Sequence, residues 1–125
     1  GVADTAACPV ALGFGPAIAN NTTNLCTESG RVQILNLYPT ANLAGIVDSA
    51  GLTSTFPATA AALTSEQMST TGGGAGAGAV LTIRVNGGTN PATCFFTYTA
   101  PTVAGGAALI GATTPASANG NTAGC

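Results

Sequence analysis

Val80-Leu81-Thr82-Ile83-Arg84-Val85 runs straight into Asn86-Gly87. Leu81, Ile83 and Val85 share one parity and Val80, Thr82 and Arg84 the other, so the segment is a strand with one apolar face, and Asn-Gly is a strong turn dipeptide. After a loop through Gly88 to Pro91 the alternation resumes, with Cys94, Phe96 and Tyr98 opposing Phe95, Thr97 and Thr99. Two strands this close in sequence form a hairpin. Ala107 to Ala112 supplies a third strand after the turn at Pro101 and Gly105-Gly106.

Upstream, Arg31 to Tyr38 places Val32 and Ile34 on one face and Leu35 and Leu37 on the other, the pattern of a short strand covered on both sides, and Pro39 ends it. Thr40 then stands as an N-cap. Leu43, Ile46, Val47 and Ala50 fall on one helical stripe, and Gly51 supplies a stop, which predicts an amphipathic helix over Ala41 to Ala50. That helix is the expected cover for Leu81, Ile83 and Val85 together with Phe96 or Tyr98. Ala58 to Met68 is helix-permissive without a stripe, Gly72 to Gly78 reads as a flexible glycine-alanine tract, and Val2 to Leu25 reads as mostly irregular. The chain of 125 residues is thus expected to be one α+β domain, a small antiparallel sheet with a short helix and long loops.

Only six side chains are charged, Asp4, Glu28, Arg31, Asp48, Glu66 and Arg84, and there is no Lys, His or Trp. Two arginines cannot neutralise a run of phosphates or hold a protein on an anionic membrane, which argues against nucleic acid and electrostatic lipid binding. With 46% hydrophobic residues and net charge −2, the composition is that of a chain that collapses. Such a weakly charged surface does little to keep copies apart. No apolar run reaches the length of a membrane span. No basic region followed by an apolar stretch starts the sequence, which therefore reads as a mature or trimmed form.

Cys8, Cys26, Cys94 and Cys125 are even in number, without a CxxC or a histidine to complete a zinc site, so disulfides in an oxidising compartment are expected. Three connectivities are possible. Proximity in sequence favours Cys8 with Cys26 and Cys94 with Cys125, leaving residues 1–30 as an irregular disulfide-loop region and 94–125 as a loop closed at the last residue. Each closure contributes about 3 to 4 kcal/mol in the chain-entropy model.

Without His or Lys the familiar nucleophile and base pairs cannot be assembled, and disulfide-bonded cysteines are not nucleophiles, so an enzyme is not expected. A pair of carboxylates drawn from Asp4, Glu28, Asp48 and Glu66 is better read as surface or helix-end groups than as a glycosidase dyad. Gly72 to Ala77 matches a dinucleotide-loop pattern on paper, yet it precedes a strand where that loop must follow one. Asn20-Asn21-Thr22-Thr23 holds two overlapping glycosylation sequons, relevant to a eukaryotic source. Thr53-Ser54-Thr55 and Thr97-Tyr98-Thr99 lack the fixed repeat that an ice-matching array requires. No cofactor or metal site is expected.

Two blocks carry a resemblance. Val32-Gln33-Ile34-Leu35-Asn36 leading to Tyr38-Pro39-Thr40-Ala41 and Ala44-Gly45-Ile46, and Pro91 to Thr102 with Cys94 and Tyr98, ending at Gly124-Cys125, are similar to mannose-sensitive-haemagglutinin-type pilins of the type IV pilin family. The resemblance spans residues 31–125. It implies a pilin-like globular head in which Cys94 and Cys125 bound the D-region, a loop stapled to the last sheet strands. It further implies a non-catalytic subunit of a bacterial pilus, exported through the periplasm to the cell surface for adhesion, attachment or motility. Its partners would be other pilin subunits and the hydrophobic N-terminal pilin helix, which this sequence lacks and which is either the chain's own removed segment or a separate small subunit. Because the stripe at Ala41 to Ala50 is too short to cover three strands, an exposed apolar groove is expected to receive that helix. The alternative is a monomeric secreted binding or adhesin domain.

Overall fold

The computed structural model describes residues 2–4, 23–27, 30–111, 120–121 and 123–125. Its strands in chain order are β1 (Val2–Asp4), β2 (Thr23–Thr27), β3 (Gly30–Leu35), β4 (Tyr38–Pro39), β5 (Met68–Gly72), β6 (Val80–Val85), β7 (Phe95–Thr99), β8 (Leu109–Ile110) and β9 (Gly120–Asn121). They form two antiparallel sheets, one ordered β1-β2-β3-β4 and one ordered β5-β6-β7-β8 with β9 also on β7. Short helical turns lie between the sheets in sequence, so the architecture is the α+β one expected.

The β6–β7 hairpin follows its alternation. Leu81 stands opposite Tyr98 and Ile83 opposite Phe96. Leu81, Ile83 and Tyr98 are buried in one cluster with Ala41, Val47, Ala58, Leu63 and Ala100, and Phe96 packs against it. The third strand is shorter than expected, two residues of the Ala107 to Ala112 stretch, pairing Leu109 with Thr99 and Ile110 with Tyr98. Because β6 occupies one edge of β7, β8 and β9 share the other, β9 pairing with Phe95 and Phe96. They lie end to end along that edge, both antiparallel to β7. On the opposite edge, β5 is a strand that the sequence reading passed over. Met-Ser-Thr-Thr-Gly has no apolar alternation, and only its pairing with β6, Thr70 to Ile83 and Thr71 to Thr82, holds it extended.

In the first sheet two expectations are corrected. The strand expected over Arg31 to Tyr38 stops at Leu35, turns through Asn36 and Leu37 at φ 52° and 71°, and returns as β4, with Leu35 opposite Tyr38. This is a two-residue hairpin, the connection in which left-handed residues match the twist of the strands. Asn tolerates that conformation, whereas Leu37 enters it with its side chain turned out, 51% exposed where burial on the second face was expected. Within Val2 to Leu25, read as mostly irregular, β1 and the start of β2 pair in register with Ala3 opposite Leu25. Residues 5–22, including Cys8, lie outside the described residues, so the expected Cys8–Cys26 bridge does too.

The helix expected over Ala41 to Ala50 is a π-helical turn, Leu43–Val47, running into an α-helical turn, Asp48–Ala50 (α1). Its N-cap is Asn42, whose side chain accepts from the Gly45 N–H at 2.9 Å, and not Thr40. The wider π turn rotates each successive side chain by less than the roughly 100° of a helix with 3.6 residues per turn, so the stripe breaks down. Val47 is buried, Leu43 and Ile46 are half-buried, and Ala50 is exposed. Gly51 ends the helix in the left-handed conformation at φ 63°, as read. Within Ala58 to Met68 a six-residue helix, Ala60–Ser65 (α2), is capped by Thr59 and anchored by Leu63 alone.

Candidate functional site

The residues of the two resembling blocks meet at the seam between the sheets. Tyr98, on the inner face of β7, passes its ring through the core and donates its hydroxyl to the Pro39 carbonyl on β4 at 2.7 Å. Pro39 is followed by Thr40, fully buried, whose Oγ1 lies 3.0 Å from Gln33 Oε1 and 2.8 Å from Asn42 Oδ1, while Asn42 Nδ2 donates to Gln33 Oε1 at 2.8 Å. Thr40 is the hub around which the π turn wraps. Its carbonyl accepts from the Asn42 and Ile46 amides, both at 2.9 Å. A Cβ on Gly45 would collide with the Thr40 backbone and hydroxyl, so glycine is required there for closeness of approach. Ala41, fully buried, makes an antiparallel bridge to Gly74, whose amide donates to the Ala41 carbonyl at 2.8 Å. The glycine tract expected to be flexible is thus tethered: Gly72, Gly73, Gly74 and Gly78 all have positive φ, and a Cβ on Gly73 would strike the Ala41 carbonyl.

Burial, with the Tyr38 hydroxyl nearby, raises the Tyr98 phenol from 10.0 to about 12. A phenolate here would be desolvated, and its oxygen would face the Pro39 carbonyl without a proton between them.

The second constellation is the C-terminal clasp. Cys94, fully buried at the foot of β7, is bonded to Cys125. Gly124 is threaded beneath the loop before β7, its amide donating to the Thr93 carbonyl at 3.0 Å and its carbonyl accepting from the Asn90 amide at 2.9 Å. A Cβ on Gly124 would run into the Asn90 carbonyl, and one on Gly88 would come within 2.6 Å of the Gly124 oxygen. Arg84 braces the same loop from the outer face of β6: it donates to the Pro91 carbonyl at 2.6 Å and lies over the Phe95 ring, 5.0 Å from its centroid.

Of the four carboxylates, Asp48 is buried and accepts from the Ala58 amide at 2.7 Å, fixing the loop that leads to α2, while Glu66 is exposed at the C-cap of that helix. Among the described residues no group of three His, Cys, Asp or Glu could hold a metal ion, and no helix is long and apolar enough to cross a membrane.

No protein-family model, curated protein or solved structure matches this chain.

The inner face of the second sheet is covered by the chain itself: Val47, Leu63, Leu81 and Ile83 are at most 2% exposed. The groove expected on that face is filled by the π turn and α2. Apolar surface is exposed elsewhere. Val80 and Leu109 flank Thr99 in one cross-strand row on the outer face, Ile110 is at the free edge, and Val103 is in the loop before β8; Leu109, Ile110 and Val103 are each more than 60% exposed. Sequence reading found the outward parity of Val80 and missed that β8 carries an exposed apolar residue on each face. Two residues are too few for alternation to show.

Proposed function

We propose that the chain is the globular head of a filament subunit of the type IV pilus class, a non-catalytic structural domain that assembles at the bacterial surface with a hydrophobic pilin helix, joined in cis or supplied in trans, and with further pilin subunits. The observation that carries this reading is the Cys94–Cys125 staple. It fastens the end of the chain to the foot of β7 while residues before it line the β7 edge, the arrangement that the pilin resemblance implies for a D-region. The seam supports it further. Tyr98 from the second resembling block donates to Pro39 of the first, so the two blocks form one structural unit. In this reading the helix lies along Val80, Leu109, Ile110 and Val103, because the inner face is already occupied.

The covered inner face favours a second reading, a monomeric secreted binding or adhesin domain that needs no helix to complete its core. Co-expression with a hydrophobic pilin helix separates the two. The filament reading expects a stable complex that Leu109→Asp abolishes while the isolated head keeps its fold by circular dichroism. Failure of the unmodified head to bind any such helix would leave the monomeric reading in its place.

A further inference from the structure

The Asn86-Gly87 turn is a sequence motif that neither the seam nor the clasp absorbs. Asn86 and Gly87 follow β6 directly, and both are exposed. The Asn86 amide donates to the Gln67 carbonyl at 2.7 Å, and the Asn86 Oδ1 faces the Ser69 hydroxyl at 3.4 Å. The Gly87 amide has no hydrogen-bond partner among the described residues, and the nearest atoms that a Cβ on Gly87 would meet belong to the Gln67 side chain. The backbone nitrogen after Asn86 is therefore unprotected by hydrogen bonding among the described residues. The neighbouring carboxamide belongs to Asn86, which is held at its own amide and accepts from the Ser69 hydroxyl.

We propose that Asn86 is a spontaneous modification site, converted in the folded protein to aspartate and isoaspartate through a cyclic imide with Gly87. The Gly87 nitrogen gives up its proton to solvent and attacks Asn86 Cγ. The new N–Cγ bond forms, the Cγ–Nδ2 bond breaks, and Nδ2 leaves as ammonia after taking up a proton. Water then opens the five-membered imide: cleavage at Cγ gives aspartate, and cleavage at the backbone carbonyl gives isoaspartate. The sum is Asn plus water to acid plus ammonia, with no change of oxidation state. The product adds a carboxylate beside Ser69 of β5 and near Gln67, and one further negative charge takes the chain from −2 to −3. On a surface with so few charges, that single step is a large fractional change.

The test is incubation of the native full-length chain in mildly alkaline buffer, followed by chymotryptic peptide mapping with fragment-ion localisation, beside a sample held unfolded in urea. The expected result is conversion at Asn86 in the native sample, with both isomers present and the isoaspartate confirmed by an isoaspartyl methyltransferase assay. Gly87→Ala, whose Cβ requires only the flexible Gln67 side chain to move, should slow conversion at Asn86 in the native sample. Gln67→Ala combined with Gly87→Ala relieves that contact and should be equally slow. Conversion at Asn86 in urea but not in the native protein, or native conversion unaffected by both Gly87 variants, would overturn the proposal.

Discussion

The two sheets are held by different means. The β5–β9 sheet carries its own core in Leu81, Ile83 and Tyr98 and is closed covalently by Cys94–Cys125. The β3–β4 end of the other sheet is joined to it by single contacts, the Tyr98 hydroxyl on Pro39 and the Ala41–Gly74 bridge, and to the π turn by the glycine-close wrapping of Thr40. One is held by area and a covalent bond, the other by fit at a few atoms. Substitutions should therefore separate them: changes in the hairpin core act on the whole molecule, whereas changes at the seam act on the junction.

The largest expected effect is in the hairpin. Ile83→Ala removes a fully buried side chain opposite Phe96 and should lower stability by about 2 to 5 kcal/mol in urea unfolding. A loss below about half a kcal/mol would mean that the core does not sit on this face. Next comes the staple. Reduction, or replacement of Cys94 and Cys125 by serine, should remove about 3 to 4 kcal/mol, with amide exchange rising first at Asn90, Thr93 and Gly124 while β6 and the start of β5 stay protected. Equal loosening of both sheets would show that the clasp also holds the seam.

The seam has a signature in pH. With its folded pKa raised to about 12 against 10.0 unfolded, Tyr98 contributes its full stability below pH 10, and that contribution is lost as the pH rises from 10 towards 12. The loss should approach 2 to 3 kcal/mol, on the order of two pK units at 1.36 kcal/mol each. It should disappear in Tyr98→Phe and persist in Tyr38→Phe. An alkaline loss unchanged in Tyr98→Phe would place its origin outside the seam. The smallest effect should come from Gly45→Ala, about 1 to 3 kcal/mol of overpacking against Thr40. Amide protection at Asn42, Ile46 and Gly74 should fall, leaving the β6–β7 ladder intact.

The same contrast explains what the sequence could reveal. β6 and β7 are made by their own alternation, so both bounds and faces were legible, as was Gly51 as a helix stop. β4, β5 and the π turn take their form from partners distant in sequence. The turn at Asn36-Leu37 puts a leucine in a conformation no propensity favours, Met68–Gly72 is extended because β6 is beside it, and the cap passed from Thr40 to Asn42 because Gln33 and Asn42 engage the threonine hydroxyl. The Cys94–Cys125 pairing was readable from the positions of the cysteines. Gly124 beneath Asn90 and the Tyr98–Pro39 bond carried no signal of their own, since each depends on how the chain returns to meet itself.

We propose that this domain is built into a surface filament. The most direct test is quantitative mass spectrometry of filaments sheared from cells that express the chain and purified by density. The account expects peptides of this chain, with the Cys94–Cys125 linkage intact, in constant proportion to those of a hydrophobic pilin helix. Filaments that assemble normally without this chain would contradict it.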